Sequence, residues 1–77
     1  MRLEGYELSS KNGELIARTG QYKGWGVKIF RDLRELNWFF FIWKEYEVYN
    51  SLWDSKVYLS ERDCIEAAEE WIVKKHQ

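Results

Sequence analysis

Proline is absent from this 77-residue chain, and cysteine and histidine occur once each. A single cysteine excludes an internal disulfide, and a single histidine leaves no familiar set of zinc ligands. We therefore expect no metal and no cofactor, and we expect packing alone to hold the fold together. The length corresponds to a single domain, residues 1–77, near the lower limit at which one core is stable without such reinforcement.

Long apolar runs are also missing. No segment approaches the roughly 18 apolar residues of a membrane-spanning helix. The first residues, with Arg2 followed by Glu4 and Glu7, lack the apolar segment of a signal peptide. Together with the single unpaired cysteine, these features lead us to expect a cytoplasmic protein with no membrane partner.

Positive and negative charges nearly cancel, and the net charge is −1. Residues 1–34 contain seven Lys/Arg against four Asp/Glu, whereas residues 35–77 contain five against nine. Proteins that bind double-stranded nucleic acid usually carry a clear positive excess, because phosphate contacts dominate their affinity. The balance argues against duplex binding as the main activity.

Aromatic residues, in contrast, are abundant, with five Trp, five Tyr and four Phe. Six consecutive residues, Trp38-Phe39-Phe40-Phe41-Ile42-Trp43, have the composition of a strand that runs on to about Tyr49 and bends or breaks near Lys44. Alternate side chains of a strand point to opposite faces, so both faces of this strand are apolar. A chain this short can hardly cover both faces of a sheet, and we expect one face to be a contact surface.

Strand and turn signals place this strand in an antiparallel sheet. Asn12-Gly13 predicts a two-residue β-hairpin turn, which would set Glu7 opposite Arg18. Gly20 to Gly24 is interpreted as a loop, 25–31 as a strand with Trp25, Val27 and Ile29 on one face, and 32–37 as a connecting turn. Val57-Tyr58-Leu59 is predicted to be a short last strand.

The C-terminal segment has the pattern of an amphipathic helix over residues 61–75. Ser60 is a preferred N-cap, and the apolar stripe comprises Cys64, Ile65, Ala68, Trp71 and Ile72. The predicted fold is therefore α+β: an antiparallel sheet of four or five strands, connected as a meander of hairpins, with one C-terminal α-helix packed on one face. Because Glu45 and Glu47 continue the odd parity, we expect Trp38, Phe40 and Ile42, with Tyr46 and Val48, to face the helix.

No pattern of residues indicates catalysis. Cys64 lies on the apolar stripe of the helix with no base nearby in sequence, so we interpret it as a buried structural thiol. His76 is next to last, where a frayed end is expected. The glycines of 20–26 lack the spacing of a phosphate-binding loop. We therefore expect no catalytic, cofactor-binding or metal-binding residues and a protein that is not an enzyme.

The candidate partner-binding residues are those of the outer strand face and of the adjoining loops: Phe39, Phe41, Trp43, Tyr22, Lys23 and Trp53. Aromatic residues are enriched among interface hot spots, so the expected partner is another protein or a second copy of this chain. One alternative is that loops carrying Tyr22 and Trp53 cover the outer rings. Another is that single-stranded nucleic acid stacks on the aromatic rings with lysines nearby.

The order of elements, an aromatic-rich antiparallel meander closed by an amphipathic helix with Ala67 and Ala68, is similar in outline to many small bacterial and phage proteins. Among these are phage-encoded inhibitors of host defence, which are often small, acidic and non-enzymatic. The resemblance is one of size and architecture. It implies a non-catalytic module with a blocking or adaptor role.

Overall fold

The computed structural model describes residues 2–8 and 15–75, with the side chains of residues 6–8 outside the description. Within these ranges five strands form one antiparallel sheet in chain order: β1 (Arg2–Leu8), β2 (Leu15–Tyr22), β3 (Trp25–Asp32), β4 (Asn37–Lys44) and β5 (Glu47–Asn50). A 3-10 helix, Ser51–Asp54, follows β5, and helix α1, Glu61–Lys75, packs against β3 and β4. The predicted α+β fold and the predicted helix bounds are confirmed.

The helix begins as its sequence predicts and buries its apolar stripe. Ser60 Oγ accepts a hydrogen bond from the Asp63 N–H at 3.1 Å, which satisfies one of the free donors of the first turn. Cys64, Ala68 and Ile72 are fully buried against the sheet, while Ile65 and Trp71 are half-buried at the sides of the stripe.

The face of β4 that α1 covers is the predicted one. Phe40 and Ile42 join Trp25, Val27 and Ile29 in the core cluster, and Trp38 packs against its edge. Register explains the match, because Ile29 pairs with Phe40 and Val27 pairs with Ile42 across β3 and β4. The parity assignment of Phe40 and Ile42 is confirmed.

Beyond Lys44 the parity prediction is wrong. The strand breaks at a two-residue turn, Glu45-Tyr46, in which Glu45 has a φ of 52°. After the turn Val48 pairs with Trp43, and Tyr49 pairs with Ile42. Val48 therefore lies on the face away from the helix, Tyr49 lies on the helix face, and Tyr46 is 99% exposed at the tip.

The predicted loop at Gly20 to Gly24 is also shorter than expected. β2 runs through to Tyr22, which pairs with Trp25, and only Lys23 and Gly24 form the turn. Both have positive φ, 50° and 84°, as a type I′ hairpin requires. Gly24 supplies this conformation without steric cost.

The predicted last strand, Val57-Tyr58-Leu59, is wrong as a strand, and β5 takes the fifth position in the sheet. Only Tyr58 reaches the edge of β4, where it exchanges two backbone hydrogen bonds with Trp38 at 2.7 and 2.8 Å. Between that bridge and β5, the buried hydroxyl of Ser51 accepts the Phe40 N–H at 3.0 Å. Ser51 and Tyr58 thus provide hydrogen-bond partners for backbone groups at the edge of β4 that the short β5 does not reach.

The turn predicted at Asn12-Gly13 lies outside the described residues, but the pairing of β1 with β2 tests its register. Glu7 pairs with Ala17 and not with Arg18, so the register predicted from a two-residue loop is wrong by one residue. A β-bulge between Glu4 and Glu7, where Gly5 has a φ of 57°, shifts the β1–β2 register by one further residue. Arg18 lies on the helix side, where its guanidinium donates to Glu61 at 2.7 Å.

Candidate contact surface on the outer face

The sheet face opposite α1, called the outer face here, is organised in rows of paired residues that run across the strands. Among the described residues, no helix lies on this face. The first row consists of Arg2, Gln21, Gly26, Trp43 and Val48. The second row consists of Glu4, Thr19, Lys28, Phe41 and Asn50.

The Trp43 ring lies over the neighbouring glycine of the first row. A Cβ atom added to Gly26 would lie 2.2 to 2.6 Å from three atoms of the Trp43 indole, so the ring lies directly across the glycine. Phe41 stacks against the same indole, with ring centroids 5.6 Å apart and planes at 27°. The two half-buried rings form a ridge along β4.

Beside this ridge the outer face is concave. A groove of about 500 Å³ lies between Trp43 and the edge strand β1, with Thr19, Gly24 and Gly26 among its lining residues. Arg2 and Glu4, both exposed, also line the groove on the β1 side. Gly24 contributes no side chain to the lining of the groove, and the Gly26 position is covered by the Trp43 indole.

A second pair of rings lies next to the two rows. Phe30 stacks on Phe39 with centroids 4.8 Å apart and planes at 9°. Phe39 is 7% exposed and Ala17, in the same row, is 1% exposed. The Lys28 ammonium lies 5.6 Å from the Phe30 centroid, within the range of a cation–π contact.

Both signs of charge occur on the outer face. Arg2 and Lys28 are the described cations of its paired rows, and Glu4 and Asp32 are the described anions. Asp32 Oδ1 accepts the N–H groups of Arg34 and Glu35 at 2.9 and 3.1 Å, so this carboxylate is engaged in the β3–β4 turn. The face as described is close to neutral.

The structure divides the six candidate partner-binding residues between two regions. Phe39, Phe41 and Trp43 lie together on the outer face. Tyr22 packs against the helix-side core, and the Lys23 ammonium lies 5.7 Å from the Tyr22 ring. Trp53, 63% exposed, contacts Tyr49 on the helix side at 6.1 Å. Tyr22 and Trp53 therefore do not cover the outer rings, and the alternative that assigned them this role is wrong.

Sequence reasoning missed several outer-face residues. Phe30 and Gly26 have the same parity in β3 as Lys28. Because the alternation of β3 places Lys28 on the face opposite Trp25, the sequence pattern was enough to assign Phe30 and Gly26 to the outer face. Arg2, Glu4 and Thr19 join the face only through the pairing of β1 with β2, which depends on the bulge at Gly5. Nothing in the local sequence sets that register.

The helix side of the sheet carries a second aromatic cluster around Tyr49. The Tyr49 ring stacks on Trp71 at 4.8 Å, and its hydroxyl donates to Asp54 at 2.5 Å. Burial, followed by this hydrogen bond and the Asp54 charge, raises the pKa of Tyr49 to about 12. The cluster closes the end of the core beside β5 and leaves the phenol protonated at neutral pH.

Cys64 occupies the position expected of a structural thiol. It is fully buried, and burial, with a smaller contribution from the Glu61 charge, raises the pKa of the thiol to about 12. We expect the folded protein to react with a thiol-specific disulfide reagent no faster than it unfolds, because the thiolate is the reactive species. Stopped-flow labelling with and without denaturant checks this, and rapid stoichiometric labelling of folded protein would contradict it.

Gly26→Ala tests whether the Trp43 ring packs directly on Gly26. The new Cβ would displace the indole, and we expect a loss of about 1–3 kcal/mol in the free energy of unfolding, typical of overpacking. In the Trp43→Ala background the same change should cost much less, because the clashing ring is gone. Urea denaturation of the four proteins measures this coupling, and additive losses would show that Trp43 does not lie on Gly26.

No helix in the described part of the chain has the length and apolar composition needed to span a bilayer. Within residues 2–8 and 15–75, no three His, Cys, Asp or Glu side chains are grouped as metal ligands would be. No protein-family model, curated protein or solved structure matches the sequence or the fold.

Proposed function

We propose that this protein is a non-catalytic binding module whose outer face contacts another polypeptide chain. The observation that carries the proposal is the ridge of Phe41 and Trp43 beside a groove, on the face that α1 leaves uncovered. Aromatic side chains in a partly desolvated setting, surrounded by polar residues, are the usual composition of an interface hot spot. A blocking or adaptor role follows from such binding, and inhibition of host defence by a phage protein would be one instance.

The near-neutral charge of the outer face favours a protein over a nucleic acid as partner. Single-stranded nucleic acid also stacks on aromatic rings, but its affinity depends on cations that follow the phosphate backbone. Here Arg2 and Lys28 are offset by Glu4 and Asp32 on the same face. The solvent side of α1 carries more carboxylates than cations, and its exposed Arg62 and Lys74 form ion pairs with Glu66 and Glu70.

Site-specific photocrosslinking tests the choice of partner. A photoreactive residue replaces Val48, which is 51% exposed on the outer face, and in a matched control it replaces Val73, which is 36% exposed on α1. We expect the photoreactive residue at position 48 to form crosslinked adducts that are removed by protease treatment and not by nuclease treatment. Adducts removed by nuclease would support the nucleic-acid alternative, and equal adducts from both positions would contradict the assignment of the face.

Phe41→Ser with Trp43→Ser should abolish the adduct formed from position 48 while the protein stays folded. Both rings are half-buried and lie on the face away from the core cluster, so their loss removes contact area without opening the core. Circular dichroism establishes the fold, and the photocrosslinking yield establishes the binding. A folded double variant that still forms the adduct would show that the ridge does not bind.

A further inference from the structure

The two rows of the outer face hold residues of complementary kind at neighbouring positions. They run parallel, about 7 Å apart, because same-face neighbours in a strand are two residues apart. Arg2 of the first row lies beside Glu4 of the second, Trp43 beside Phe41, and Gly26 beside Lys28. Each position therefore holds a residue that could pair with its neighbour from another molecule.

We propose that the outer face binds a second copy of this chain through these two rows. A two-fold axis lying between the copies, perpendicular to the strands and between the rows, sets each row against the other row of the second copy. Arg2 then faces Glu4, and Trp43 faces Phe41, each contact occurring twice. An interface of this kind is isologous, and self-complementarity of one patch is what it requires.

Charge supports this occupant. In the arrangement described, no like charges face each other, because Lys28 meets Gly26, over which the Trp43 indole lies. A face with a net charge of one sign would repel its own copy, whereas the described side chains of the outer face have both signs in balance. The proposal rests on the proposed function and names the partner for the same face.

The available area is that of a weak, reversible dimer. Five strands about 4.8 Å apart and two to three rows about 7 Å apart give about 340–500 Å² per copy, or about 670–1,000 Å² in total. These values lie at or below the lower limit for specific interfaces. Two antiparallel sheets packed face to face with aligned strands are also a common arrangement, as in β-sandwiches. We therefore expect a dimer that forms as the protein concentration rises.

Charge reversal on β1 tests the pairing of the rows. Arg2→Glu leaves only carboxylates at positions 2 and 4, and Glu4→Arg leaves only guanidinium groups there. Each variant alone should dimerise roughly tenfold more weakly than wild type at low salt, because two attractive contacts become repulsive. An equimolar mixture of the two variants should associate, and the double variant Arg2→Glu/Glu4→Arg should recover dimerisation.

Sedimentation velocity over a range of concentrations measures each case, with Arg62→Glu on the exposed side of α1 as the control that should behave as wild type. A wild-type protein that stays monomeric at all concentrations would overturn the second copy as occupant. So would single variants that dimerise like wild type, or a mixture that fails to associate. If the wild type is monomeric but the probe at position 48 still traps another protein, the proposed function stands and this inference fails.

Discussion

Phe40→Ala should remove about 3–5 kcal/mol from the free energy of unfolding, most of the stability expected of a domain of this size. The Phe40 ring is 2% exposed and belongs to the core cluster under α1. It contacts Tyr49 at 5.8 Å and Tyr58 at 6.1 Å, so its loss leaves a cavity that three elements would have to collapse to fill. Urea denaturation followed by circular dichroism measures the loss.

Phe41→Ala is the matched control, because the same residue type lies at the adjacent position on the opposite face. Phe41 is half-buried and contacts Trp43, so its truncation should cost distinctly less than that of Phe40. Equal losses at the two positions would mean that the outer face is packed like a core in the isolated chain. A smaller loss at Phe40 than at Phe41 would show that the helix covers the other face.

The parity of β4 was assigned from the carboxylates that follow the aromatic run. Glu45 and Glu47 share the parity of Phe41 and Trp43, and a carboxylate under a helix would lose its hydration. Within β4 the assignment is correct, although Glu47 itself lies on the helix face, where it pairs with Lys44 and its carboxylate reaches Lys75 at 3.3 Å. The assignment failed beyond Lys44 because the rule assumes a continuous strand, whereas the turn at Glu45-Tyr46 reverses the chain and resets which residues share a face.

The turn itself carried little local signal. Glu45 adopts a positive φ although it is neither glycine nor asparagine, the residues that usually occupy such a turn position. The conformation is imposed by the pairing of β4 with β5, where Lys44 meets Glu47 and Trp43 meets Val48. The length of the segment predicted a bend or break near Lys44, which the structure confirms. The pairing of β5 with β4 was not predicted, because it depends on tertiary contacts and not on a pattern within residues 44–50.

The candidate site was predicted in part for a similar reason. Phe39, Phe41 and Trp43 follow from alternation within one strand, which needs no knowledge of neighbouring strands. Tyr22 was misplaced because Gly20 to Gly24 was interpreted as a loop, although the actual turn at Lys23-Gly24 puts Tyr22 opposite Trp25. Trp53 lies within the 3-10 helix Ser51–Asp54, whose direction depends on the buried Ser51 contact with Phe40.

Trp71→Ala should destabilise the protein by about 3–5 kcal/mol, and Trp53→Ala should change the free energy of unfolding by about 1 kcal/mol or less. The Trp71 indole contacts Trp25 edge to face at 5.5 Å and stacks on Tyr49 at 4.8 Å, so it joins α1 to both β3 and β5. Trp53 is 63% exposed, and its ring contacts Tyr49 edge to face at 6.1 Å. Since the two variants delete the same side chain, chemical denaturation compares the positions directly. Losses of similar size would mean that Trp71 does not hold the helix to the sheet, and that burial of Cys64, Ala68 and Ile72 is enough to keep α1 in place.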